Sequence, residues 1–206
     1  MMKLHYAPGT CALATHIALE EAGADYELRK VDFSKHEQTS AAYLAINPKG
    51  RVPALVTERG VLTETPAMLS FIAQSYPQAR LAPLDDPWQF AQLQAFNVYL
   101  CSTVHVAHAH RMRGYRWADE PTAIEAMARK APEVVFACFE LIERTMFKGP
   151  WVLGEEYTIA DSYLFTLAEW WEGDRVDARR LPRLAEHRLR VSERAAVQRA
   201  LSAERA

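Results

Sequence analysis

The hydrophobic pattern of this chain changes character at one place, residues 77–87. Before this segment, short apolar runs of strand length alternate with stretches of helical period, whereas the periodic stretches after it have helical spacing. Three prolines and two aspartates interrupt the periodicity within the segment, which is typical of a linker between domains. The sequence therefore predicts an α/β domain over residues 1–77, a linker over 78–87 and an all-α domain over 88–206.

The order of elements narrows the fold class of the first domain. Gly23 is expected to end the first helix, and Arg59-Gly60 to form the turn of a hairpin. The predicted elements are strand 3–6, helix 11–22, strand 26–32, helix 39–47, strands 54–57 and 61–63, and helix 66–76. The predicted order is thus βαβαββα.

Helical patterns alone follow the linker. Residues 88 to about 116 and 121–147 are long patterns, and they are followed by 159–172 and by two shorter candidates after Leu181. Residues 88–110 contain no fixed charge, but Gln, Asn, Ser, Thr and His recur through them. We therefore interpret this stretch as a buried helix and not as a membrane span.

Composition excludes several classes of function. Half of the 206 residues are hydrophobic and 24% are charged, which predicts a folded chain. The formal net charge of -2 gives a nucleic-acid or anionic-membrane partner no electrostatic support. A small neutral or anionic ligand remains open.

The cysteines favour a reducing compartment. Cys11, Cys101 and Cys138 are odd in number and far apart, and they form no Cys-x-x-Cys pair, so we expect neither a disulfide framework nor a zinc site. The first residues lack the pattern of a secretory signal. We therefore expect a cytoplasmic protein.

A cysteine at a helix N-terminus is the first indication of chemistry. A strand that ends at Tyr6 and a turn over residues 7–10 would place Cys11 there, and the partial positive charge of the helix end favours a thiolate. Cys11 could react itself, or it could help the nearby amides to hold the thiolate of another molecule. The alternative is a small buried cysteine in the first helical turn.

Two further segments have the chemistry of a peptide-binding site. A cis bond before Pro53 would turn the backbone N–H and C=O of Val52 outward, ready to pair with an extended ligand, although a trans bond is the default. Thr65 is predicted as the N-cap with Pro66 at the first helical position, so free amides there could bind a carboxylate. Glu64 could accept from an ammonium group; the alternative is an ordinary helix start with a solvated glutamate.

The three predicted features match the three parts of glutathione. The helix start at Cys11 suits its thiol, the backbone N–H and C=O of Val52 suit its peptide backbone, and Glu64 with Thr65 suit its γ-glutamyl amino-acid group. Residues 2–14 resemble the start of beta-class glutathione S-transferases, which read Lys-Leu-x-Tyr-x-x-Pro-Gly-x-Cys-Ser-Leu. The resemblance continues through 47–50, 52–55 and 63–65, where the family usually has Glu-Ser, and reaches Phe165. Thr158-x-x-Asp161 resembles the capping box of the family's sixth helix.

The resemblance implies a fold and a set of functional residues. The fold is a thioredoxin-like N-terminal domain followed by an all-helical C-terminal domain, with glutathione bound between them as cosubstrate, in a homodimer. The residues it assigns are Cys11 and His105 as catalytic, and Thr10, Lys35 or His36, Arg51, Val52, Pro53, Glu64 and Thr65 as glutathione contacts. Lys35 and His36 both remain candidates for the glycine carboxylate, and Arg51 replaces a more usual Gln.

Other chemically active side chains are assigned no role. Tyr6 also resembles the strand-end tyrosine that activates the thiol in animal glutathione transferases, but Cys11 argues against that role, so we interpret Tyr6 as a packing residue. His105, His108 and His110 lie close in sequence, yet no carboxylate or cysteine nearby completes a metal site. We therefore expect no bound metal.

The predicted activity is transfer of glutathione to a hydrophobic electrophile, as in detoxification. The bound thiol would be held as a thiolate and would attack the electrophile beside it. The first alternative is a thiol-disulfide reductase in which Cys11 forms a mixed disulfide. The second is a non-catalytic ligand-binding protein with the same fold.

Overall fold

A computed structural model describes residues 1–205 of the chain. Its four strands form one mixed sheet in the order β2-β1-β3-β4. The strands are β1 Met2–Tyr6, β2 Tyr26–Lys30, β3 Ala54–Thr57 and β4 Gly60–Thr63. Strand β1 is parallel to β2 and antiparallel to β3, and β4 is antiparallel to β3.

Ten α-helices accompany the sheet within residues 1–205. Those of the N-terminal domain are α1 Ala12–Ala22, α2 Ala41–Leu44 and α3 Thr65–Ser75. Those of the helical domain are α4 Pro87–Tyr99, α5 His105–Arg113, α6 Pro121–Leu141, α7 Ile159–Ala168, α8 Trp171–Asp174, α9 Pro182–Ser192 and α10 Ala195–Arg205. The predicted βαβαββα order and the thioredoxin-like and helical fold classes are confirmed.

Several predicted boundaries were wrong. The second strand ends at Lys30 because the Asp32 carboxylate accepts from the Ser34 N–H and begins a 3₁₀ turn. The second helix is only Ala41–Leu44, started by the Ser40 hydroxyl, which accepts from the Tyr43 N–H. The pattern over 159–172 contains two helices, since α7 ends at Ala168.

The long pattern from residue 88 to 116 is one helical stretch with a local change of winding. The π-helical segment Leu100–Val104 joins α4 to α5, and the 3₁₀ segment Gly114–Arg116 follows α5. No helix within residues 1–205 combines the length and apolarity that a membrane crossing needs.

Helix α1 is the element shared by both domains. Nine of its eleven residues are buried. It contacts α3 of its own domain and α7 and α10 of the helical domain. A helix that is apolar on every face has to be enclosed on every face, so the sequence of α1 requires the helical domain to close over it. The start of α1 consequently lies at the junction of the two domains.

Asp161 connects α7 to its surroundings through a buried carboxylate. It is fully buried, and its Oδ2 accepts from the backbone N–H of Thr158 at 2.7 Å, which completes the capping box. Its Oδ1 accepts from the Val152 N–H at 2.8 Å and lies 2.9 Å from His187 Nε2. One side chain thus holds three segments together.

We expect Asp161→Asn to lower the free energy of unfolding by about 2–4 kcal/mol, because an amide presents one acceptor where the carboxylate has two and adds a buried donor. Asp86→Asn is the matched control: the Asp86 carboxylate caps α4 at the surface, so its change should cost about 1 kcal/mol or less. Urea denaturation measures both variants, and an equal loss of stability in the two would contradict the assigned role.

Candidate functional site

The turn before α1 is held by its own hydroxyl. Gly9 has a φ of 69°, and the Thr10 Oγ1 donates to the Ala7 carbonyl at 2.7 Å and accepts from the Ala12 N–H at 3.3 Å. Cys11 occupies the N-cap position but makes no side-chain capping bond. The Thr10 hydroxyl therefore caps the helix and leaves the Cys11 sulfur available for other contacts.

The helical domain holds the same turn from both sides. The Gly9 N–H donates to Glu204 Oε2 at 3.2 Å, and the Gly9 carbonyl accepts from Trp170 Nε1 at 3.0 Å. Glu204 is buried, and its Oε1 lies 3.7 Å from Nδ1 of the buried His16. We call Glu204 and Trp170 the Gly9 clamp. Sequence reasoning missed it, because its bonds span 195 and 161 residues.

Cys11 is half-buried and its Sγ lies 3.8 Å from the Val52 carbonyl, to which it donates. Burial raises the pKa of the Cys11 thiol to about 11, although a hydrogen bond with the Thr65 side chain and the nearby charge of Arg113 oppose that rise. Burial therefore opposes the thiolate form of Cys11 that the helix end by itself would favour. The cost of desolvation exceeds the stabilisation that the helix end provides.

The loop beside Cys11 contains the cis bond. Val52–Pro53 is cis, so the trans default was wrong and the cis alternative is confirmed. The Tyr43 hydroxyl and the Asn47 Nδ2 both donate to the Arg51 carbonyl at 2.7 Å, which fixes the loop just before that bond. The Val52 N–H has no hydrogen-bond acceptor among residues 1–205, so it is available to a ligand.

The start of α3 differs from its prediction. The N-cap is Glu64, with no capping bond from its side chain and a φ of 70°, an unusual conformation for a residue with a side chain. Thr65, predicted as the N-cap, is the buried first residue of the helix. Lys49 Nζ lies 2.5 Å from Glu64 Oε1 and 2.8 Å from Thr63 Oγ1. Glu64 thus already binds an ammonium group, from a lysine that the sequence analysis did not single out.

His105 begins α5 and packs edge-on against Trp170, with 5.1 Å between ring centroids. Burial lowers the pKa of His105 to about 4, and His108, Arg113 and other nearby cationic groups add to the decrease. His105 is therefore neutral at pH 7 and can donate or accept a hydrogen bond but supplies no positive charge. Through Trp170 it is connected to the Gly9 turn.

The other two histidines of α5 have partners elsewhere. His108 is buried and bonds to Asp174 through Nδ1, and its ring packs edge-on against Trp170. The His110 ring stacks on Trp117 at 4.3 Å. Their side chains thus have packing roles.

The three remaining predicted contacts are exposed. Lys35 Nζ pairs with Asp32 at 3.3 Å, and His36 has a φ of 55° between two 3₁₀ turns. Neither has a hydrogen bond or ion pair with Cys11, Val52 or Thr65 within residues 1–205. Arg51 is also exposed, but its charge contributes to the low pKa of His105.

Two groups near Cys11 were missed by the sequence analysis. Tyr163 is buried on α7, and Cys101 lies half-buried on the π-helical segment. Burial raises the pKa of both side chains, and each affects the pKa of the other. The Tyr163 pKa is raised further by its proximity to Cys11. Tyr163 follows the apolar period of α7, so its sequence position carries no signal of a polar role.

Fold and site together define a class: a thioredoxin-like domain with a cysteine at the start of its first helix and a cis-proline loop beside it, closed by a helical domain. Residues 1–74 match the family model of the glutathione S-transferase N-terminal domain. The glutathione S-transferase GstA of Escherichia coli O157:H7 is 34% identical over 206 residues, which cover 98% of each chain. The chain belongs to the glutathione S-transferase family, as expected from the resemblance.

Solved structures agree with this assignment. A glutathione transferase homologue from Sulfitobacter, solved with bound glutathione, has a TM-score of 0.95 and 44% identity, with 98% of each chain covered. The bacterial beta-class glutathione S-transferase of Sphingomonas chungbukensis has a TM-score of 0.85 and 33% identity, also with 98% of each chain covered. The expected fold class and enzyme class, a glutathione S-transferase, are therefore confirmed.

We expect Glu204→Ala to raise hydrogen exchange at the Gly9 amide about tenfold, because the change removes the only carboxylate that accepts from it within residues 1–205. Glu204→Gln should retain most of the protection, since its amide oxygen can accept the same bond. Mass-spectrometric exchange over residues 7–13 measures the effect, and Glu193→Ala, an exposed glutamate between α9 and α10, is the control. Equal exchange in all three variants would contradict the clamp.

We expect Cys11 to react with iodoacetamide about a hundredfold more slowly than a free thiol at pH 7, because a pKa near 11 leaves roughly one thiolate in ten thousand. The rate should keep rising with pH up to about 11. Peptide mapping after timed alkylation separates Cys11 from Cys101 and Cys138. A plateau below pH 9 would show that the thiol is activated in the free protein.

Proposed function

We propose that the protein transfers reduced glutathione to a hydrophobic electrophile at the site formed by Cys11, Val52 and Thr65, which we call the thiol site. One observation carries the proposal: the Cys11 sulfur donates to the Val52 carbonyl of the cis bond, and Thr65, the first residue of α3, is near enough to affect the pKa of Cys11. Cys11 is expected to bind the thiol of glutathione, Val52 its backbone and Thr65 its γ-glutamyl end. These three residues therefore lie together around the Cys11 sulfur.

The binding roles follow from the donors and acceptors present. Val52 offers a carbonyl and a free N–H to the peptide backbone of glutathione. The Thr65 hydroxyl and the first amides of α3 suit the γ-glutamyl carboxylate, and Glu64 suits its ammonium. Lys49 competes for Glu64, so binding of the ammonium exchanges one cation for another and gains less than a contact with an unpaired carboxylate.

Because its pKa is raised, Cys11 is protonated and can act as a hydrogen-bond donor. A protonated thiol beside a glutathione thiolate donates a hydrogen bond to it, and the amides at the start of α1 add their partial positive charge. The glutathione thiol first releases its proton to solvent; the bound thiolate then forms a C–S bond to an electrophilic carbon while the leaving group departs with its electron pair, and Cys11 keeps its proton. Each unit by which the glutathione pKa falls corresponds to about 1.4 kcal/mol of thiolate stabilisation.

Further expectations rest on resemblance to the family. We infer that the active form is a cytoplasmic homodimer with a role in detoxification, and that glutathione binds between a domain of residues 1–77 and one of residues 88–206, with residues 78–87 as linker. Lys35 or His36 would face the glycine carboxylate, and Arg51 and Pro53 would line the same site. His105, neutral at pH 7, would orient the bound thiol by a hydrogen bond.

A thiol-disulfide reductase is the second candidate, because Cys11 and Cys101 are both close to Tyr163. Exchange requires a Cys11 thiolate, and burial disfavours that form. Cys11→Ala separates the two activities: conjugation should continue at a reduced rate, whereas a reductase would lose its activity. A ligand-binding protein without turnover would bind glutathione and convert no electrophile.

The first test is a calorimetric titration with reduced glutathione. We expect saturable binding of one glutathione per chain, weakened about tenfold by Thr65→Val, because that change removes a hydroxyl and keeps the shape. Thr145→Val is the matched control: Thr145 lies on the π-helical segment Ile142–Met146 that follows α6, and its hydroxyl donates to the Leu141 carbonyl four residues earlier. No binding at millimolar glutathione would contradict the proposal and leave the fold assignment intact.

A further inference from the structure

Glu64 carries a carboxylate that its own helix does not use. The residue is the N-cap of α3, but its side chain forms no capping bond, and its backbone has a φ of 70°. The side chain is exposed, and the next residue along the chain is Thr65 of the thiol site. The Glu64 carboxylate is therefore free to bind a cation beside the thiol site.

Lys49 binds this carboxylate from the loop that precedes the cis bond. Its Nζ lies 2.5 Å from Glu64 Oε1 and donates to Thr63 Oγ1 at 2.8 Å. No other lysine within residues 1–205 has hydrogen bonds to two side chains. The protein thus places an ammonium group of its own on the carboxylate that is expected to bind the ammonium of glutathione.

The backbone of Lys49 is held by Asn47. The Lys49 N–H donates to Asn47 Oδ1 at 3.2 Å, and Asn47 Nδ2 donates to the Arg51 carbonyl at 2.7 Å. The Gly50 N–H donates to the Asn47 carbonyl at 2.9 Å, and Asn47 is buried. One buried residue therefore fixes both the loop that leads to the cis bond and the lysine that pairs with Glu64.

An ammonium group supplied by the protein changes how the site discriminates between ligands. A site that bonds to a polar group of its substrate rejects an analogue without that group, mainly because the site's own partner is left without a bond. Glu64 is not left without a bond, because Lys49 pairs with it in the free protein. A ligand that brings an ammonium has to displace Lys49, so it gains only the difference between two exposed ion pairs.

We propose that Lys49 makes the site tolerant of thiol peptides that have the carboxylate of the γ-glutamyl group but lack its ammonium. The inference rests on the proposed binding of glutathione at the thiol site, and it extends the thiol substrate from glutathione to its deaminated analogues. The Thr65 hydroxyl and the first amides of α3 bind the carboxylate of such a ligand, while Lys49 stays on Glu64 in place of the missing ammonium.

The test compares two thiol ligands that differ in one group, glutathione and glutaryl-Cys-Gly, which is glutathione without its α-amino group. Calorimetry on the full chain at pH 7 gives the ratio of their dissociation constants. We expect glutaryl-Cys-Gly to bind no more than about threefold more weakly than glutathione, because Glu64 has a cationic partner in both complexes.

Variants assign the tolerance to Lys49. Lys49→Met keeps an unbranched side chain and removes its charge, so glutathione should bind about threefold more tightly, glutaryl-Cys-Gly should bind more weakly, and the ratio should reach about tenfold or more. Lys49→Arg restores a cation and should return the ratio toward that of the unmodified protein. Lys130→Met is the matched control: it removes the same charge from an exposed ion pair with Glu133 on α6 and should leave the ratio unchanged.

Three outcomes would overturn the inference. They are a ratio above about tenfold in the unmodified protein, the same ratio in Lys49→Met and Lys130→Met, or weaker binding of glutathione by Lys49→Met, which would make Lys49 a contact of glutathione. Turnover is measured separately with 1-chloro-2,4-dinitrobenzene, where the thiol proton passes to solvent, a C–S bond forms and chloride leaves with its electron pair. The expected ratios without turnover would support the role of Lys49 and contradict the proposed transfer. Turnover of glutathione with any of the three outcomes would do the reverse.

Discussion

The enclosure of α1 by both domains is the constraint on which the rest of the structure depends. Its first turn lies where the sheet, α7 and α10 meet, so the residues before it come within reach of side chains from the end of the chain. The same enclosure removes water from Cys11 and raises its pKa. The packing that stabilises the fold therefore also sets the protonation state of the thiol.

The site is consequently positive without containing a thiolate. Cys11 is a neutral thiol and His105 a neutral imidazole, while the start of α1 supplies positive potential and the charge of Arg113 acts on both side chains. Such a site is adapted to a ligand that brings its own negative charge. Glutathione in its thiolate form brings that charge at its sulfur.

Periodicity and turn residues predicted the order of the elements, because each strand and helix is specified locally. These local patterns did not predict the features that depend on contacts between residues far apart in the sequence. Thr65 looked like an N-cap, yet Glu64 takes that position with its carboxylate held by Lys49, fifteen residues earlier. The clamp on Gly9 joins groups 195 and 161 residues apart, and no local pattern encodes it. The resemblance indicated which residues belong to the site but not their protonation states, which burial determines.

The protonation state of Cys11 also determines which of two reactions, glutathione transfer or thiol-disulfide exchange, the site favours. A thiol with a pKa near 11 is almost entirely protonated at pH 7, and a neighbouring glutathione thiolate would raise that pKa further by repulsion. Of the two sulfurs, the glutathione sulfur would then carry the charge, and the Cys11 proton would point toward it. Conjugation needs that arrangement, whereas disulfide exchange at Cys11 needs the reverse. The buried Cys11 environment thus favours transfer over exchange before any electrophile is bound.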